Sequence, residues 1–121
     1  MNLLKETIGE MLENNKTTYD VLWVGSADGE YAISWNEFKA IADFEYDSVF
    51  GWQEIAKDLI VVGNNWWLER HEYDGSEWWE FKVLPVKKEN AKLLNIVETS
   101  SSWEDLSEMN IRKDKNGIQI I

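Results

Sequence analysis

The clearest alternation of apolar and polar side chains lies between residues 59 and 84. Apolar or aromatic runs and turn-forming segments alternate there in the order 59–62, 63–65, 66–73, 74–75 and 77–84. Turn signals between aromatic and β-branched runs are typical of antiparallel hairpins. The segment is therefore predicted to be a three-stranded antiparallel meander.

The two-residue loop Asp74-Gly75 predicts the register of the last two strands. It sets three pairs opposite each other: Leu68 with Phe81, Trp66 with Val83, and Arg70 with Trp79. This register gives an apolar face with a cation–π contact, but it also sets Glu72 opposite Glu77. A three-residue loop through Ser76 would leave Leu68 beside a lysine. We favour the shorter loop, because burial of two large apolar pairs outweighs one like-charge contact of roughly a few tenths of a kcal/mol.

Helical spacing of apolar side chains predicts three short helices outside this meander. Asn2 can cap a first helix that ends near residues 14–15 and has apolar positions at Leu4, Ile8, Met11 and Leu12. Ser34 and Glu37 fit a capping box for a second helix over residues 35–43. A third helix is expected to begin near residues 102–105 and to carry Leu106 and Met109.

Two further apolar runs, at residues 21–24 and 31–33, flank a turn at 27–29 and predict a hairpin. Weaker patterns fit a strand at 44–47, a helical turn at 52–57, and strands at 93–97 and 118–121. The predicted fold class is α+β: a single domain over residues 1–121, with an antiparallel β-meander packed against two or three short helices.

The net charge of the chain excludes some classes of binding partner. The chain has 121 residues and a formal net charge of −11. Residues 19–58 contribute −7 and residues 59–81 contribute −4, so the excess lies in the middle of the chain. Such a surface repels phosphates, which argues against direct nucleic-acid binding and against docking on anionic membranes. An acidic block of this kind has either a solvation role or a basic protein partner.

Metal and cofactor chemistry has little support in the sequence. The chain has no cysteine and one histidine, so a zinc or thiolate site is not expected. Asp43, Glu45 and Asp47 alternate and could share a strand face as oxygen ligands for calcium or magnesium, or simply form a solvated edge. No apolar stretch reaches membrane-spanning length, and residues 1–16 do not form a signal peptide, so we expect a cytoplasmic protein without a cofactor.

Adjacent tryptophans at 66–67 and 78–79 place indoles on both faces of one hairpin, because neighbouring strand residues point to opposite faces. One face must be core. The other, which carries Trp67, His71, Tyr73 and Trp78 among Glu69 and Glu80, is either a second core or an exposed platform for an Arg- and Lys-rich partner.

The Glu69/Glu80 pair also fits the two carboxylates of a glycosidase. An acidic chain supplies such pairs by chance, however, and nucleophile-elbow and kinase-type motifs are absent. We therefore expect no enzymatic activity.

Residues 40–85, and above all the run Tyr73-Asp74-Gly75-Ser76-Glu77-Trp78-Trp79, resemble a largely uncharacterised group of small proteins from phages and prophages of Gram-positive bacteria. Small acidic phage proteins of this type are similar to anti-restriction and anti-CRISPR inhibitors, which place carboxylates where a nuclease expects phosphates. The resemblance implies a non-enzymatic, DNA-mimicking inhibitor in the host cytoplasm that binds a basic nucleic-acid-processing nuclease.

The residues expected to bind this partner are Glu69, Glu72, Asp74, Glu77, Glu80, Trp67 and Trp78. Two alternatives remain open at this stage. An immunity-type protein that neutralises a toxin would use the same surface. A small carbohydrate-binding or hydrolytic module would use Trp67, Trp78 and the Glu69/Glu80 pair. The target, the stoichiometry and the oligomeric state do not follow from the sequence.

Overall fold

The computed structural model describes residues 1–49, 51–99 and 104–114. The chain divides into two compact units, Met1–Pro85 and Val86–Ile121. The first unit contains the sheet and two helices, and the second contains a third helix. The expected single domain over residues 1–121 stays a prediction.

The described residues confirm the α+β class. Their helices are α1 (Leu3–Glu13), α2 (Trp35–Ala42) and α3 (Leu106–Asp114). Their strands are β1 (Val21–Ser26), β2 (Ala32–Ile33), β3 (Leu59–Gly63), β4 (Trp66–Tyr73) and β5 (Ser76–Val83). These strands form one antiparallel sheet in the order β2-β1-β3-β4-β5. The predicted meander and the predicted β1–β2 hairpin are both confirmed, and pairing of β1 with β3 joins them.

The predicted register of β4 and β5 is also confirmed. Leu68 lies opposite Phe81, Trp66 opposite Val83, and Arg70 opposite Trp79. Asp74 and Gly75 adopt positive φ angles of 50° and 87°, as a two-residue type I′ turn requires. The turn chemistry of these two residues therefore determines which side chains share a face.

Side-chain caps fix the first two helices where the sequence predicts them. The Asn2 side chain accepts a hydrogen bond from the Lys5 amide, and Ser34 and Glu37 form the complete capping box. The buried stripe of α1 differs from the predicted one. It consists of Leu3, Thr7 and Met11, whereas Leu12 is 58% exposed.

Three weaker predictions are wrong. Residues 44–47 make only an isolated bridge between Glu45 and Asn2, and residues 52–57 and 93–97 form neither helix nor strand. In the first of these segments the backbone bonds mainly to the first residues of the chain: Phe44 O accepts from Leu3 N–H, and Tyr46 N–H donates to Met1 O. The predicted strand at 118–121 and the helix start at Ser102 lie outside the described residues.

The core of the first unit lies between the helices and one face of the sheet. Leu3 and Met11 of α1 and Phe38 and Ala42 of α2 pack with buried strand residues, among them Val24, Val61, Trp66, Leu68 and Trp79. The Trp79 indole N–H donates to Thr7 Oγ1 at 2.9 Å, which satisfies both buried polar groups. We call this face of the sheet the inner face.

The second unit is organised around one asparagine of α3. Asn110 Oδ1 accepts hydrogen bonds from the amides of Asn95 and Ile96, and its Nδ2 donates to Leu106 O. Asp105 accepts from the Glu108 amide and so caps the start of the helix. Across the described parts of both units, every helix is too short or too polar to cross a bilayer.

Candidate partner-binding face

The outer face of the sheet is the side opposite the two helices of the first unit. Strand alternation and cross-strand register place on it Trp23, Ile60, Val62, Trp67, Glu69, His71, Trp78, Glu80 and Lys82. All of these side chains are half-buried. The outer face is therefore partly open to solvent and carries both apolar and charged groups.

Two carboxylates lie side by side at the centre of the β4–β5 part of this face. Glu69 and Glu80 are directly opposite each other. Trp67 precedes Glu69 on β4 and donates its indole N–H to Glu69 Oε1 at 2.7 Å. Trp78 precedes Glu80 on β5 and donates to Glu80 Oε2 at 3.0 Å. Each carboxylate is thus held by the indole two residues before it, and the two indoles flank the pair diagonally.

Both carboxylates are held in the charged form. The indole N–H of Trp67 lowers the pKa of Glu69 against the opposing effect of burial, with a further contribution from His71. The indole N–H of Trp78 lowers the pKa of Glu80 in the same way. A glycosidase needs one carboxyl group with a raised pKa as its general acid. Neither of these two groups has that property.

Two basic residues of the chain itself, His71 and Lys82, lie next to the carboxylate pair. His71 Nε2 lies 2.7 Å from Glu69 Oε2 and 3.9 Å from Glu80 Oε1. Lys82 Nζ lies 3.5 Å from Glu80 Oε1. The charge of Lys82 therefore offsets part of the negative charge that the two carboxylates place at the centre of the outer face.

The other predicted partner residues do not lie on this face. Asp74 is exposed in the turn at the end of the hairpin, and Glu72 is exposed beside it. Glu77 was expected to be part of the acidic surface, and here the structure requires a correction. It is only 4% exposed and lies on the inner face. Trp67, Glu69, Trp78 and Glu80 are the predicted residues that come together on the outer face.

Burial of Glu77 has a clear electrostatic reason. Its Oε1 lies 2.9 Å from the guanidinium of Arg70, which is also buried. The amides of Glu54 and Ile55 donate to its two carboxylate oxygens. A carboxylate with this many donors is stable inside the protein. The register sets it opposite Glu72 as predicted, but the like-charge contact is offset by this cation.

The predicted cation–π contact of Arg70 with Trp79 is confirmed, but the sequence pattern did not predict the other contacts of the buried Arg70 cluster. Arg70 donates to Tyr46 Oη at 3.0 Å and to Glu6 Oε2 at 3.3 Å, and its guanidinium lies 4.8 Å from the centroid of the Trp79 ring. Burial lowers the pKa of Arg70, but the hydrogen bonds that Arg70 donates to Tyr46 and Glu77 outweigh the effect of burial, and the net shift of the pKa is upward. The sequence did contain a signal for this cluster. Arg70 is the one Lys or Arg residue of 59–81 and is predicted to lie on the apolar face, where a buried cation requires a buried anion.

The three alternating carboxylates Asp43, Glu45 and Asp47 do not share a strand face. Asp43 accepts a hydrogen bond from the Asn2 side chain, and Glu45 pairs with the amino terminus. In the part of the chain that the structure describes, no three His, Asp or Glu side chains are grouped as a metal site would require.

A cleft of about 660 Å³ adjoins the outer face where β3 meets β4. It is lined by Ala27, Lys57, Asp58, Ile60, Val62, Trp67, Glu69 and Arg70. Trp67 and Glu69 thus belong both to the cleft and to the carboxylate–indole group. Apolar side chains and two carboxylates, Asp58 and Glu69, suit the aliphatic stem and charged end of a long basic side chain, although Lys57 and Arg70 of the lining offset part of the negative charge.

Comparison with known proteins gives no relative: no family model, no curated protein and no solved structure matches the chain.

Proposed function

We propose that this protein is a non-enzymatic inhibitor, encoded by a phage, that binds a basic surface of a host defence nuclease in the cytoplasm through its outer face. The observation that carries the proposal is the pair of ionised carboxylates, Glu69 and Glu80, each fixed by a tryptophan beside it. A partner's arginine would meet acceptors that are already oriented and two indoles that can cover its guanidinium.

The negative charge supports the approach of the protein to the nuclease, and the tryptophans support the contact that follows. The net charge of −11 steers the protein toward a basic channel and speeds association. Trp67 and Trp78 then supply apolar area that is excluded from water on binding, as aromatic anchors do at binding hot spots. Glu72 and Asp74, exposed at the tip of the hairpin, extend the negative region beyond the face.

The test is a plating assay in bacterial strains that each express a single defence system. We expect expression of the protein to restore phage plating against at least one nuclease-based system. Glu69→Lys, which reverses the charge at the centre of the face, should reduce this effect at least about tenfold, since a lost charge contact and a new repulsion together exceed about 1.4 kcal/mol. Trp67→Ala should reduce it as well.

Glu30→Lys is the matched control, because it makes the same change of charge at an exposed turn position away from the outer face. It should retain inhibition. Absence of any effect of the parent protein on all nuclease systems would exclude the inhibitor proposal. Equal losses in Glu69→Lys and Glu30→Lys would show that net charge acts without a defined face.

An immunity-type protein that neutralises a toxin would use the same residues, and the identity of the partner distinguishes it from a nuclease inhibitor.

Carbohydrate binding is favoured by one specific feature, the cleft lined by Trp67 and Glu69. Titration with oligosaccharides, followed by tryptophan fluorescence, tests it: a saturable change that Trp67→Ala removes would support sugar binding. No response at millimolar sugar would exclude it.

A further inference from the structure

Strand β5 is an edge of the sheet, and its turn determines which of its backbone groups face outward. In a two-residue hairpin the residues that flank the turn, Tyr73 and Ser76, form a hydrogen-bonded pair. The alternation then directs the N–H and C=O groups of residues 77, 79, 81 and 83 away from β4. Glu77 shows this direction, since its N–H donates to Ser48 O at 2.9 Å.

Exposure rises along the next three outward-facing residues, from Trp79 at 3% to Val83 at 56%. Among the described residues, the backbone groups of Trp79, Phe81 and Val83 on this edge have no hydrogen-bond partner. The opposite edge of the sheet, β2, is only two residues long, whereas β5 has eight. The unpaired part of the β5 edge, with Trp79, Phe81 and Val83 as its outward-facing residues, is a template for another strand.

The side chains of this edge are complementary to themselves in one register. If two copies of β5 pair antiparallel with Phe81 opposite Phe81, then Glu80 of each copy lies opposite Lys82 of the other. A shift of the register by two residues in either direction sets Glu80 opposite Glu80 or Lys82 opposite Lys82. Charge therefore selects a single arrangement.

We propose that a second copy of this chain pairs with the β5 edge, antiparallel and in the register that centres on Phe81. Trp79 and Val83 of the two copies then form hydrogen-bonded pairs on either side of the central pair, and each pair exchanges two N–H···O bonds. The two sheets become one continuous sheet. This inference depends on β5 alone and goes beyond the proposed binding of a nuclease.

The experiment is sedimentation velocity of the full chain over a range of concentrations at 150 mM NaCl, with circular dichroism as a check of folding. The parent protein should be a dimer that dissociates on dilution. Lys82→Glu places two glutamates opposite each other at both symmetric positions, so the dissociation constant should rise at least about tenfold. Lys39→Glu, the same charge change at an exposed position of α2, should leave it unchanged.

Variants that exchange the charges of residues 80 and 82 give the decisive measurement, because loss of association alone could also result from loss of the folded structure. The double variant Glu80→Lys/Lys82→Glu should regain dimerisation. A mixture of the two single variants, Glu80→Lys and Lys82→Glu, should form a heterodimer even though each alone is weakened. A monomeric parent protein, a dimer indifferent to Lys82→Glu, or a mixture that fails to associate would each overturn the proposal.

Discussion

At the scale of single residues, one buried cation connects parts of the chain that are far apart in sequence. Arg70 of β4 contacts Glu77 of β5, Tyr46 of the segment before β3, and Glu6 of α1. Removal of one member of such a group leaves the others buried without compensation. Stability of the first unit should therefore depend strongly on each charged member of the cluster.

We predict that Glu77→Ala lowers the free energy of unfolding by about 3–5 kcal/mol, because Arg70 then keeps a buried charge without its principal partner. Glu72→Ala is the control: it removes the carboxylate directly across the strands but in an exposed position, and should change stability by less than about 0.5 kcal/mol. Urea unfolding, followed by tryptophan fluorescence, measures both. A similar small effect for the two variants would contradict the structural role of Glu77.

At the scale of elements, predictions succeeded where the determining interactions are local. The β4–β5 register follows from the two-residue turn Asp74-Gly75, and the starts of α1 and α2 follow from their caps. Pairing of β1 with β3 brings together strands on either side of α2, and no short-range pattern encodes it. The prediction of a strand at residues 44–47 failed for a related reason, since this segment bonds to the first residues of the chain, about forty positions earlier, and makes only an isolated bridge.

In the candidate site, too, features that depend on local sequence were predicted, and features that depend on distant parts of the chain were not. Alternation along β4 and β5 correctly placed Trp67 and Glu69 on the same face as Trp78 and Glu80. Glu77 was grouped with them because charge was counted without burial. Its burial depends on Arg70 across the strands and on the amides of residues 54 and 55, more than twenty positions earlier in the chain.

Glycines in α1 and β3 should respond to alanine in opposite directions. A Cβ at Gly63 would lie 2.1 Å from the ring of Trp66, which is buried and stacked on Phe81, so Gly63→Ala should cost about 1–3 kcal/mol. A Cβ at Gly9 meets nothing within 4 Å, so Gly9→Ala should stabilise α1 by about 0.5–1 kcal/mol. Thermal unfolding of both variants measures the difference, and equal shifts of the same sign would contradict it.

At the scale of the whole molecule, the negative charge opposes folding most strongly at pH 7, whereas the hydrogen-bonded carboxylates favour folding at every pH at which they are ionised. A net charge of −11 causes self-repulsion at pH 7 that decreases toward the isoelectric point near 4.4. Hydrogen bonds lower the pKa of Asp28, Glu37 and Glu69 in the folded state. Their contribution is present above the unfolded pKa values and is lost as pH falls through the folded ones.

Glu10 acts with the opposite sign, because burial, reinforced by Glu13, raises the pKa of its carboxyl group. Its contribution is present below the unfolded pKa and is lost as pH rises through the folded value. We therefore predict maximal stability near about pH 5, with a decrease toward both pH 3 and pH 7.

Addition of 150 mM NaCl should raise stability at pH 7 by screening the self-repulsion, with a smaller effect at pH 5, where less charge remains. Urea midpoints at pH 3, 5 and 7, at low and moderate salt, test both statements. A midpoint that rises steadily to pH 7 in either salt would show that self-repulsion is not the dominant long-range effect.

Alternation along β5 also has a consequence for how this protein can evolve. Trp78 and Glu80 point to the outer face, while Glu77 and Trp79, which alternate with them along the strand, belong to the buried cluster and the core. Substitutions at every second position can therefore change the chemistry of the outer face without disturbing the interior. A hairpin built in this way can accumulate surface changes through successive mutations, because outer-face and buried positions alternate in sequence yet lie on opposite sides of the sheet.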